Sequence, residues 1–175
     1  MYGAFDAWMV TALGGMSTVS NTTTTAWEHI VIRPDAAAVA KLQNGYNSMQ
    51  TRFGPTVVYW RLMPAVNGSH AFLETNATIP VGSTAEIVSA RIVAEVSFPS
   101  HRWSCGQVHD SRLELLGCEL SAVEESGQLL WAAETEAEQA TLPTGLASVA
   151  PADEGTGTVS RFGSGVYAFR ARYSC

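Results

Sequence analysis

Several short stretches of this chain alternate apolar with polar residues, and Gly, Pro and Asn fill the gaps between them. The clearest is RFGPTVVYWRLMP, where Val58, Trp60 and Leu62 alternate with Val57, Tyr59 and Arg61 after a Gly54-Pro55 turn. A period of two puts the first trio on one sheet face, toward a core, and leans the second outward. Leu73, Ala77 and Ile79 share a face in the same way after an Asn67-Gly68 turn, as do Tyr167, Phe169, Ala171 and Tyr173 in RFGSGVYAFRARY. AWEHIVIRP reads as a strand ended by Pro34, since proline cannot donate to a ladder. VGS turns into TAEIVSARIVAEVSF, one long strand or two short ones, and strand-like pieces flank Glu125-Ser126-Gly127. STVSNTTTT reads as a polar connector, TLPTGLASVAPADEGTGT as loop, and Asn44-Gly45 as a turn or bulge.

The opening MYGAFDAWMVTALGGM has a helical period instead. Ala4, Phe5, Trp8, Met9, Ala12 and Leu13 fall on one apolar stripe, and Gly14-Gly15 stops it. Three turns this apolar need a packing partner, yet no helix of the same quality follows. DAAAVAKLQ carries some helix propensity of its own. Many short strands with turn residues between them, no repeat period and no strand–helix alternation predict an antiparallel sandwich or barrel.

With 175 residues, 46% of them apolar, the chain suits one domain with a sizeable core. Charged residues make up 15% and the net charge is -6, which argues against a nucleic-acid partner. A basic surface-seeking helix is lacking, as is any run of about 18 apolar residues, so no membrane partner is expected. The first helix has neither a basic leading region nor an A-x-A-type cleavage site, so it is not read as a signal peptide, and the compartment stays open. Cys105, Cys118 and Cys175 are too few for a disulfide framework. N-x-S/T sequences begin at Asn21, Asn67 and Asn76.

Four groups of residues invite a chemical reading. His101, Cys105 and His109 are spaced by four, with Cys118 nearby, which on a helix would gather zinc ligands on one face. Trp103, Ser104 and Gly106 make a poor helix, so two partly buried thiols are preferred, with a Cys105–Cys118 disulfide as the alternative in an oxidising compartment. Glu134, Glu136 and Glu138 suggest a cation site but read better as a solvated strand face or loop. Trp27, Trp60, Trp103 and Trp131 are candidates for stacking on a sugar ring. Trp60 is expected in the core, and Trp103, in an irregular stretch, is the best candidate for an exposed platform. Glu28 and Glu86 lie on the polar sides of their strands and read as surface charge rather than as a catalytic pair. No cofactor is expected.

Six stretches, in this order, resemble the C-terminal part of bacterial α-L-rhamnosidases of glycoside hydrolase family 78: YGAFDAWMVTALGGM, WEHIVIRPD, YNSMQTRFGPTVVYWRL, NATIPVGSTAEIV, ESGQLL and GSGVYAF. The resemblance implies a mainly β chain, an antiparallel β-sandwich with one short N-terminal α-helix. Residues 1–15 would be the remnant of the last helix of a helical-barrel catalytic domain. Residues 16–175 would be the C-terminal sandwich, with about 91–120 as an insertion. That family hydrolyses terminal α-L-rhamnose with inversion, using an acid and a base carboxylate spaced to admit a water. Those residues, and a sugar-contacting His, belong to the barrel, and no position here matches them. No catalytic residue is carried over, and the chain alone is expected not to hydrolyse rhamnosides. The implied partner is the catalytic barrel or a second copy, met through Phe5, Trp8 and Met9. The alternative is a stand-alone carbohydrate-binding module.

Overall fold

The computed structural model describes residues 9–18, 27–65, 70–90, 119–133, 144–151 and 157–174. Among them eleven strands form two sheets that pack face to face. The strands are β1 (Met16–Thr18), β2 (His29–Ile32), β3 (Asn44–Thr51), β4 (Gly54–Met63), β5 (Ala71–Ile79) and β6 (Thr84–Ala90), then β7 (Glu119–Glu125), β8 (Gln128–Ala132), β9 (Leu146–Pro151), β10 (Gly157–Phe162) and β11 (Gly165–Ser174). The five-stranded sheet runs β1-β2-β6-β10-β9 and the six-stranded sheet β3-β4-β5-β11-β7-β8. Every pairing is antiparallel except β2 with β6, which run in parallel with His29 opposite Thr84 and Ile32 opposite Ile87. The β-sandwich expected from the alternation is the architecture found.

The alternating residues form the core between the sheets. Val58 and Trp60 are fully buried, Leu62 nearly so, and they meet Leu73, Ala77 and Ile79 of β5 and Tyr167, Phe169, Ala171 and Tyr173 of β11. Met16, Ile30, Ile32, Ala85, Ile87 and Phe162 supply the opposite layer. Phe162 bridges the β10–β11 hairpin, its ring centroid 4.5 Å from that of Tyr167 and 5.3 Å from that of Phe169. The Tyr167 hydroxyl lies 3.3 Å from the Ser164 carbonyl oxygen and 3.4 Å from that of Gly145, sharing its proton between them. Gly145 sits at φ +93°, and a Cβ there would lie 2.5 Å from this hydroxyl, so glycine is required on both counts.

The described chain entry has a π-helical geometry. Met9–Leu13, the described part of the expected N-terminal helix, is a π-helical turn closed by Gly14 N–H donating to the Met9 carbonyl over 2.9 Å; residues 1–8 lie outside the described residues. Two distant side chains take up its carbonyls: Asn47 Nδ2 donates to Val10 O over 3.1 Å and Trp60 Nε1 to Leu13 O over 3.3 Å. Gly15, at φ +67°, then turns the backbone into β1. Among the described residues an α-helix forms at Ala36–Leu42 (α1). Asp35 caps it by accepting from Ala38 N–H over 2.9 Å, and Gln43 closes it in the left-handed region at φ +63°.

Three other local readings are corrected. Asn44-Gly45 is no turn: both residues open β3, and Gly45 leaves room for the Trp60 indole on β4. The connector STVSNTTTT begins as β1, paired Ser17 to Val31 and Thr18 to Ile30. The loop-like TLPTGLASVAPADEGTGT contains β9 and the start of β10; β9 is an edge strand, where Pro151 is tolerated.

Candidate functional site

A concavity of about 610 Å³ opens where the chain enters the sandwich. The π-turn contributes Thr11, the bend after it Gly15, the segment before α1 Pro34, α1 itself Val39, and the sandwich interior Leu73 and Tyr173. Its shape follows from local chemistry. The Arg33 N–H donates to the Gly15 carbonyl over 2.6 Å, which draws the chain before α1 alongside the entering backbone. The Asp35 carboxylate on its rim is engaged by the α1 amide. Burial pushes the Tyr173 phenol well above its ordinary value, so it stays neutral. Ser17, Arg33 and Asp35 add polar groups to the apolar lining of the concavity. It presents no pair of carboxylates arranged for acid–base work among its described residues.

The sequence candidates are dispersed rather than gathered. Trp60 is in the core, as expected. Trp27 and Trp131 are partly buried and packed against that core, so neither stands as an open platform. Trp27 adopts φ +68° and is held at both backbone ends: its N–H donates to Thr18 Oγ1 over 3.3 Å, and its carbonyl accepts from Ser83 Oγ over 3.0 Å. Trp103, His101, Cys105, His109 and Cys118 lie outside the described residues, as do Glu134, Glu136, Glu138, Phe5 and Trp8. Met9 is 42% exposed. No group of three or more His, Cys, Asp or Glu among the described residues is placed to hold a metal ion.

Glu28 is exposed and precedes β2, whereas Glu86 is committed to a cross-strand cluster on the outer face of the five-stranded sheet. Arg161 Nε donates to Glu86 Oε1 over 2.7 Å, and His29 Nε2 lies 3.4 Å from the same oxygen. The other ring nitrogen, His29 Nδ1, is 2.7 Å from Thr84 Oγ1. The cluster ties β2, β6 and β10 together.

One exposed aromatic went unread in the sequence. Tyr46 on β3 is 68% exposed and stands opposite Tyr59 on β4. The signal was present in Asn44, Tyr46, Ser48 and Gln50, which alternate with less exposed neighbours, but a turn at Asn44-Gly45 interrupts that reading.

No protein-family model matches the sequence, and no curated protein matches it. Among solved structures the fold is similar to that of the α-L-rhamnosidase from Dictyoglumus thermophilum, with a TM-score of 0.59 and 15% identity over 97% of this chain and 13% of that one. It is also similar to the Streptomyces avermitilis α-L-rhamnosidase complexed with L-rhamnose, with a TM-score of 0.52 and 16% identity over 97% of this chain and 11% of that one. The chain thus spans 13% and 11% of the length of these two enzymes, and the likeness is one of fold. It has the architecture of a β-sandwich that forms a small part of each.

Proposed function

We propose that this chain is a non-catalytic C-terminal β-sandwich domain of an α-L-rhamnosidase-like glycoside hydrolase of family 78, and that it packs against and stabilises the catalytic barrel. The observation that carries the reading is the match of 97% of this chain to a small segment of two rhamnosidases. The order of the six sequence stretches supports it independently.

The physical task follows from the chain entry. The π-turn is fastened to the sandwich by Asn47 and Trp60, so whatever precedes it enters at a fixed place. The apolar stripe of Phe5, Trp8 and Met9 is the surface through which the last barrel helix would bury itself, and the concavity beside Thr11 and Gly15 is the surface that would receive a neighbour. Each large apolar side chain covered this way contributes about 1.5–3 kcal/mol. Inverting hydrolysis needs two carboxylates with a water between them; the sandwich supplies stability to the domain that holds them.

The test compares a rhamnosidase barrel carrying this chain at its C-terminus with the same barrel lacking it. The joined form is expected to unfold at a higher temperature, and the chain alone to give no turnover of an aryl α-L-rhamnoside. Equal unfolding temperatures, or turnover by the chain alone, overturn the reading.

A further inference from the structure

The outer face of the six-stranded sheet carries an arrangement that the core does not require. Tyr46 faces Tyr59 across β3 and β4, Tyr59 faces Asn76 on β5, and Asn76 faces Ala168 on β11. Two residues along each strand, and so on the same face, runs a second row of planar polar groups. Asn44 lies opposite Arg61, Arg61 opposite Glu74, and Glu74 opposite Arg170. Arg170 Nη2 donates to Glu74 Oε1 over 2.7 Å, and its guanidinium lies 5.6 Å from the centre of the Phe72 ring, which holds these two side chains at one end of the row. The rows cross three strand spacings, about 14 Å. They lead into a groove of about 270 Å³ lined by Glu74, Asn76, Glu124, Ser126 and Arg170.

Aromatic faces beside fixed amide, guanidinium and carboxylate groups suit one ligand chemistry in particular. A pyranose offers a face of C–H groups that packs on an aromatic ring, and a rim of neighbouring hydroxyls that planar polar groups engage two at a time. The charges choose among glycans. Arg61, Arg170 and Arg172 stand against Glu74 and Glu124 on this face, a net of one positive charge on a chain that carries -6, so an acidic polymer gains little here. We infer that this face binds a neutral oligosaccharide, with sugar rings stacked on Tyr46 and Tyr59 and hydroxyls held by Asn76, Glu74 and Arg170. This moves the sugar platform from the tryptophans singled out in the sequence to the tyrosines of the β3–β4 pair. It does not depend on the chain's packing against a barrel.

The experiment titrates the chain with a panel of neutral oligosaccharides (rhamnose-capped, β-1,4-glucan and xylan fragments), with polygalacturonate as the anionic control. Binding is followed by NMR shifts and by sedimentation. Saturable shifts are expected at Tyr46, Tyr59 and Asn76 for at least one neutral member, with a Kd on the order of 1 mM. Tyr46→Ala should weaken that binding about tenfold without changing the unfolding temperature, and Tyr46→Phe should retain it. The inference is overturned if no neutral member shifts these residues, if polygalacturonate alone does so, or if Tyr46→Ala acts only by dissolving a dimer of the chain.

Discussion

The indole N–H of Trp60 donates to the backbone carbonyl of Leu13 across 47 residues of sequence. Trp60 is fully buried in the six-stranded sheet, while Leu13 leads directly into β1 of the other sheet. One core side chain therefore fills the interior and also fixes where the chain enters. Asn47 repeats the device on the neighbouring strand, through Val10.

Replacing that indole separates its two roles. Trp60→Phe keeps an aromatic ring but removes the donor, and is expected to cost about 1–2 kcal/mol. Exchange of the Gly14 amide should quicken beyond what the global loss explains. Trp60→Ala also empties the core and should cost about 3–5 kcal/mol. Urea denaturation and amide hydrogen exchange measure both.

Gly45 is under the same constraint from the other side. A Cβ placed there runs into the Trp60 indole, so Gly45→Ala should destabilise by about 1–3 kcal/mol. Gly163 has 4.0 Å of clearance and no left-handed backbone, so Gly163→Ala should fall within about 0.5 kcal/mol of the parent. Paired denaturant midpoints test the contrast.

Three buried hydroxyls lack a hydrogen-bond partner among the described residues: those of Thr56, Thr158 and Ser160. Thr158 is fully buried. Thr158→Val keeps the shape and removes the unmet polar group, so a gain of about 1 kcal/mol is expected, read as a higher denaturant midpoint at unchanged m-value.

Alkaline pH should weaken the fold through two tyrosines. Burial raises the Tyr173 phenol above 10.0, and burial followed by the charge of Glu125 raises that of Tyr167. The folded chain thus keeps protons that the unfolded chain releases. This stabilisation is complete below about pH 10 and is lost as the pH rises beyond it. Urea midpoints should therefore hold up to about pH 10 and fall as the pH rises above it, less steeply in Tyr173→Phe than in the parent.

Much of this fold is legible in the sequence where a strand has one buried face. β4, β5 and β11 alternate cleanly because each packs one side on the core, and their inner residues are those the pattern assigns. β9 is an edge strand built of small residues, with Leu146 its buried apolar anchor, so alternation has little to display. The π-turn at Met9–Leu13 is set by side chains 37 and 47 residues away, which no local period reports. The parallel partnership of β2 with β6 is likewise a long-range choice. The candidate site was hidden for a related reason. Asn44-Gly45 looks like a turn in isolation, but the glycine answers to the Trp60 indole, and the strand it opens carries Tyr46 outward.

β10 lies between β6 and β9, and β11 between β5 and β7, so the last two of the described strands in chain order sit inside the two sheets rather than at their rims. A nascent polypeptide emerging from the ribosome cannot close either layer until these strands have cleared the exit tunnel. Before then β5 and β6 each offer one unpaired edge to any neighbouring chain. The topology therefore places the stretch most open to mispairing before β10 and β11 have joined their sheets.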